Sequence, residues 1–117
     1  MLVLAIVLAA LAGPPHAYVA TASGHVPLAV SSWCWGPRCG APIAASARTA
    51  IARRGTAVEV QLAFVPKSAR VAVAGAPVKL TRHGDVLTWI ASRAGGMTIS
   101  VTGAKGWVIY VGRLVVR

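Results

Sequence analysis

Apolar and polar residues alternate along most of the second half of the chain. In Thr56–Val65, every second residue from Val58 to Phe64 is apolar, whereas the positions between them include Glu59. Successive side chains of a β-strand point to opposite faces of its sheet, so this spacing predicts a strand with one buried face. Similar segments recur at residues 28–35, 70–74, 78–82, 85–91, 97–101 and 107–116.

Glycine and proline residues separate these segments at roughly ten-residue intervals, which is typical of an all-β domain. Gly84 and Asp85 fall where a hairpin turn is needed. The Ala-rich stretch 41–52 contains Pro42 and lacks a helical period, so we expect a crossover with a short strand near Thr49–Ala52. The sequence therefore predicts one all-β domain, an antiparallel sandwich or small barrel of about seven strands.

The last segment is apolar on both faces. We expect Trp107, Ile109 and Val111 to point into the core, because they alternate with the residues between them. Leu114 continues this face only if the alternation shifts by one position, and Gly112 lies at the shift. A glycine at a phase shift predicts a β-bulge.

The N-terminus begins with an apolar run at residues 2–12. A membrane-spanning helix needs about 20 such residues, whereas the apolar part of a secretory signal needs 7–15. Small residues at positions 20 and 22 suit a signal peptidase, so we predict a signal peptide at 1–22 and a domain at 23–117. The protein is then secreted or at the cell envelope, with no membrane span after signal removal. The alternatives are an uncleaved anchor and a buried N-terminal strand or helix.

The two cysteines, Cys34 and Cys39, flank a Gly-Pro turn. We predict that they form a local disulfide, which an oxidising compartment permits. Closing a loop of about six residues stabilises a fold by about 2 kcal/mol in the chain-entropy treatment. A redox or metal-binding pair and two free thiols are the alternatives.

The segment SSWCWGPRCGAP, the Val-rich strands after it and the closing GMTISVTGAKGWVIYVGRLVV resemble a group of small secreted bacterial Ig-like domains of uncharacterised function. The matching residues are Ser32, Cys34, Trp35, Cys39, Trp107 and Tyr110. The resemblance implies an Ig-like β-sandwich outside the cytoplasm and implies no catalytic residues. The chain departs from the group at Gly40, where an acidic residue often follows the second cysteine.

The chain carries 12 Lys and Arg residues but only 2 Asp and Glu residues, a formal charge of +10. Such an excess attracts polyanions in a salt-dependent way. Arg53, Arg54, Arg113 and Arg117 form the clearest local patch, and an anionic cell-envelope polymer or another secreted protein is the expected partner. No nucleic-acid-binding motif is present, so specific nucleic-acid recognition is not expected.

The chain has four tryptophans, which serve either as core residues or as stacking surfaces. We expect Trp35, Trp89 and Trp107 to be packed in the core. Trp33 is the candidate for exposure, and an exposed indole ring would suit a carbohydrate-binding or inhibitor-like module.

Residues that could support catalysis or bind a metal are few. Glu59 and Asp85 are the only carboxylates, and neither is spaced as part of a catalytic pair. His16, His25 and His83 are scattered and lack the nearby Cys and Met of a copper site. We therefore predict no enzymatic activity, no catalytic residue, no metal site and no cofactor.

Overall fold

The structure is a computed structural model that describes residues 13–40 and 48–117. The apolar run at 2–12 and most of the predicted crossover lie outside the described residues. Twelve strands are present in the described part of the chain: β1 Ala17–Thr21, β2 Gly24–Pro27, β3 Ala29–Trp35, β4 Arg38–Gly40, β5 Thr49–Ala52, β6 Ala57–Leu62, β7 Ser68–Val73, β8 Ala76–Pro77, β9 Thr81–His83, β10 Val86–Ile90, β11 Gly95–Gly103 and β12 Gly106–Val116.

The strands form two sheets. The first has the order β2-β1-β6-β10-β9, and the second has the order β4-β3-β12-β11-β7-β8. The short strand β5 joins the second sheet by pairing with β12 in parallel, and every other pairing is antiparallel. The two sheets share one apolar core. The all-β sandwich predicted from the sequence is therefore confirmed.

Seven of the strands reproduce the immunoglobulin arrangement. Strands β1, β6, β10 and β9 follow the A-B-E-D order of one immunoglobulin sheet, and β7, β11 and β12 follow the C-F-G order of the other. The predicted seven-strand frame is thus present, with five additional strands. Three of these, β2, β3 and β4, are inserted between the first strand and β5, and β3 covers the edge of β12.

The inserted segment carries the disulfide. Cys34 on β3 pairs directly with Cys39 on β4, and the two are bonded. The predicted local disulfide is confirmed. Because the Cα atoms are directly opposite each other across a tight turn, the bridge fastens the inserted hairpin and does not join the two sheets.

The outcome for β12 corrects the sequence prediction. Val108, Tyr110 and Leu114 point into the core, and Trp107 points outward with 40% of its surface exposed. The alternation runs through Gly112 without a shift, and the irregularity lies instead in the pairing of Ile109 and Tyr110 with β3.

Gly112 explains this choice of face. A Cβ atom there would lie 2.7 Å from Leu28 Cδ2 and 3.1 Å from Met97 Cε, so the glycine makes room for two large core side chains. Gly112 therefore occupies a core-facing position in the regular alternation of β12, and the predicted β-bulge is not formed there.

One strand prediction differs in detail, and two further predictions are confirmed. The predicted strand at 78–82 is only partly present: residues 78–80 form no strand and link β8, which ends at Pro77 in the second sheet, to β9, which begins at Thr81 in the first. The strand near Thr49–Ala52 is confirmed as β5. The turn at Gly84 is also confirmed, because His83 and Val86 on either side of it are paired.

The first strand lies ahead of the predicted boundary at residues 22 and 23. β1 is hydrogen-bonded to β2 on one side and to β6 on the other, and its Ala17 and Val19 are 1% exposed. The Tyr110 hydroxyl donates a 2.6 Å hydrogen bond to the Pro15 carbonyl oxygen. Residues 15–21 are therefore part of the folded domain, and whether a leader is removed stays a prediction.

Candidate functional site

The tryptophans take positions that the sequence did not predict correctly. Trp33 is buried at 8% exposure, against the expectation that it is exposed, and its ring packs over Gly40. A Cβ atom at position 40 would overlap that ring, so no acidic side chain fits where the resembling domains often have one. The confirmed core tryptophan is Trp89, whereas Trp107 is on the surface.

The exposure of Trp35 is intermediate between that of Trp89 and that of Trp107. This side chain is half-buried, and its ring centroid is 4.8 Å from that of Phe64 in a tilted arrangement. Trp33 and Trp35 both face inward, because residues two apart on a strand share one face. The side chain of Cys34, between them, faces outward beside Trp107, with which it is paired across the ladder.

Trp107 belongs to a polar grid on the outer face of the second sheet. One row across the strands contains Cys34, Trp107, Thr102 and Ser68, which are successive cross-strand partners. The neighbouring row contains Ser32, Ile109, Ser100 and Arg70 in the same way.

Neighbouring strands lie about 4.8 Å apart, and positions two residues apart on a strand are separated by about 6.7 Å. The grid is therefore a shallow patch about 14 Å long and about 7 Å wide.

An open groove of about 410 Å³ follows this grid. We call it the Trp107 groove; it is lined by Ser68, Arg70, Ser100, Thr102, Trp107 and Ile109. The indole ring, three hydroxyl groups and one guanidinium group are thus on one surface. The alternation in the sequence predicted that Trp107 is in the core. The one sequence feature that indicated this site was the series of alternating Ser and Thr residues on β11.

The predicted arginine patch is also brought together. Hydrogen bonds from Arg117 N to Ala52 O (2.9 Å) and from Arg54 N to Arg117 O (2.8 Å) place Arg53 opposite Arg117. The Arg113 amide donates to the carbonyl oxygen of Arg48 at 3.0 Å, which adds a residue that the sequence analysis did not single out.

Four of these residues form what we call the arginine end. Arg48, Arg53, Arg113 and Arg117 are all exposed. By the alternation of β12, Arg113 and Arg117 share the outer face with Trp107. Arg54 is directed elsewhere, because its Nη1 donates a 2.7 Å hydrogen bond to the Ser92 carbonyl oxygen.

The carboxylates and histidines are dispersed. Glu59 is on β6 opposite Thr88, and Asp85 is three positions further along that ladder in an exposed turn, about 10 Å away. Within residues 13–40 and 48–117, no three His, Cys, Asp or Glu side chains come together as metal ligands. In the same part of the chain, no helix is long and apolar enough to cross a bilayer.

No protein-family model matches the chain, and no curated protein is significantly similar to it. Among solved structures, the chain is similar to a chimeric titin Z1Z2 functionalised with an exogenous KLER peptide from decorin. The TM-score is 0.46 and the sequence identity is 14%, over 75% of this chain and 97% of the titin chain. The immunoglobulin-like assignment rests on the strand order described above.

Proposed function

We propose that this protein is an extracytoplasmic binding module, without catalytic activity, that holds anionic cell-envelope polymers at its arginine end. The observation that carries the proposal is that the paired backbones of β5 and β12 bring exposed Arg48 beside Arg113 and exposed Arg53 beside Arg117. Guanidinium groups bind phosphate, sulfate and carboxylate groups in a bidentate way, so such a cluster suits a polyanion.

The charge balance supports this proposal. Two carboxylates can neutralise at most two of the twelve cationic side chains, so most of the positive charge is directed to solvent. A surface with this excess attracts polyanions over a distance set by the ionic strength, about 8–10 Å under ordinary conditions. The disulfide is consistent with a location outside the cytoplasm, where such bonds persist.

A binding titration with immobilised dextran sulfate tests the proposal. The double variant Arg113→Gln/Arg117→Gln should bind more weakly and should lower the slope of log K against log salt by about 1–2, because two contacts are lost. The matched control is Lys79→Gln/Arg82→Gln, which removes the same charge from exposed positions near β9. Equal losses in the two double variants would show that net charge alone, and not the arginine end, is responsible.

Carbohydrate binding through an exposed tryptophan is the second candidate. The residue that favours it is Trp107 and not Trp33, because Trp107 is exposed in a groove lined by polar side chains, whereas Trp33 is buried. A neutral or acidic oligosaccharide that changes the fluorescence of the native protein, but not of a Trp107→Ala variant, would support this function.

A further inference from the structure

We infer that the Trp107 groove binds one acidic sugar residue, of the uronic acid type, within the anionic polymer proposed above. The C–H face of the sugar ring packs on the indole ring of Trp107, its hydroxyl groups bond to Ser100 and Thr102, and its carboxylate bonds to Arg70. This inference rests on the proposed function and narrows its ligand from any polyanion to an acidic polysaccharide.

The composition of the groove selects this occupant. An aromatic ring offers a flat apolar surface with a polar rim, which suits a ligand with one apolar face and hydroxyl groups at its edge. A purely apolar ligand would leave the hydroxyl groups of Ser68, Ser100 and Thr102 without partners, which costs free energy. A flexible polyphosphate would bond to Arg70 but has no face to place on the indole ring.

The placement of Arg70 adds charge complementarity. Its cross-strand partner is Ser100, which is in turn opposite Ile109, the next outward residue after Trp107 on β12. The guanidinium group therefore approaches from two strands away, about 10 Å across the grid. This distance suits a sugar ring that lies across the strands with its carboxylate directed to Arg70.

The groove and the arginine end share an outer face and are separate along it. Both lie on the outer face of β12, on which Arg113 follows Trp107 by six residues, about 20 Å of extended strand. A polysaccharide that places one ring on Trp107 can therefore extend along β12 to the arginine end. The groove then supplies ring recognition, and the arginines supply general attraction to charge.

Calorimetric titration with three probes distinguishes these roles: an oligogalacturonate, a neutral maltohexaose and a polyphosphate. Trp107→Ala should weaken the oligogalacturonate by at least about ten-fold and leave the polyphosphate unchanged. The matched control Ile90→Ala, which truncates another exposed apolar residue on the first sheet, should change neither.

The outcomes separate the two proposals. If Trp107→Ala binds oligogalacturonate as tightly as the unmodified protein does, the groove is not a sugar site. If it loses polyphosphate equally, the groove is only part of the cationic surface. If Arg113→Gln/Arg117→Gln leaves both anionic probes unaffected, the proposed function itself fails, whatever Trp107→Ala does.

A separate observation carries a second inference, about processing. Since β1 is an inner strand, paired on both edges, we infer that the predicted signal peptide is cleaved ahead of Pro14 and not after residue 22. Pro14 is buried, and the Pro15 carbonyl oxygen is held by Tyr110. The sequence Ala10-Leu11-Ala12 offers small residues at the required spacing just ahead of Gly13.

The N-terminal sequence of the protein recovered from outside the cytoplasm tests this inference. A chain that begins at Gly13 supports it, and a chain that begins at Ser23 overturns it. Recovery with the leader still attached would also overturn it, since no cleavage would then take place.

Discussion

Val19→Ala is the substitution that shows whether the first strand belongs to the domain. Val19 is 1% exposed and pairs with Val60 of β6 on one side and Val26 of β2 on the other. If residues 17–21 were part of a discarded leader, truncating Val19 would not affect the stability of the folded protein. If β1 is a core strand, the truncation leaves a cavity between the two sheets.

The expected magnitude follows from the burial. Two methyl groups leave the core at about 0.8 kcal/mol each, and incomplete collapse of the cavity raises the total to about 2–3 kcal/mol. For a domain of this size, each kcal/mol lowers Tm by about 4–8 °C, so the variant should melt about 8–24 °C below the unmodified protein.

Thermal unfolding followed by circular dichroism, on chains that begin at Gly13, measures this shift. The control is Val65→Ala, which removes the same two methyl groups from a side chain that is 68% exposed. We expect the control to change Tm by no more than about 3 °C. A Val19→Ala variant whose Tm equals that of the Val65→Ala control would refute the placement of β1 in the core.

Three further predictions concern stability. Gly40→Ala should lower the free energy of unfolding, measured by urea titration, by about 1–3 kcal/mol, because a Cβ atom there overlaps a packed indole ring. Gly96→Ala, which has nothing within 4 Å of the added atom, should lower it much less. Replacing Cys34 and Cys39 together by Ala should lower the free energy of unfolding by about 2 kcal/mol, and a loss near zero would show that the short loop is already ordered without the bridge. Burial raises the pKa of Tyr110 in the folded chain above its ordinary value of about 10. Above pH 10 the folded state therefore keeps a proton that the unfolded chain releases. The contribution of this group to stability is complete below pH 10 and should fall as the pH rises further. The free energy of unfolding of Tyr110→Phe, measured by urea titration, should be lower by about 1 kcal/mol at neutral pH because the hydrogen bond is lost. Between pH 10 and 11 it should decline less than that of the unmodified protein; parallel declines would contradict this account.

For the inserted hairpin, the local sequence explains one feature and the tertiary structure explains another. The turn between Cys34 and Cys39 is determined locally, because Gly-Pro permits the reversal and the two thiols then lie opposite each other. That this hairpin covers the edge of β12, placing Cys34 beside Trp107, depends on a pairing between residues more than 70 positions apart. No local signal in the sequence indicates that pairing.

The alternation of apolar residues by itself determined that the fold is all-β and where most strands lie, but it left a sandwich and a small barrel both open. The short strand Thr49–Ala52 followed from the lack of a helical period in its segment. The alternation also placed Val58 and Val60 in the core, because the opposite face of β6 carries Glu59 and Gln61. Only the tertiary structure decided which face of β12 is buried, and with it the exposure of Trp107 and the burial of Tyr110. Because both faces of β12 carry apolar residues, the sequence shows that the side chains alternate but not which of the two sets faces the core. Packing against the neighbouring strands decides which set is buried.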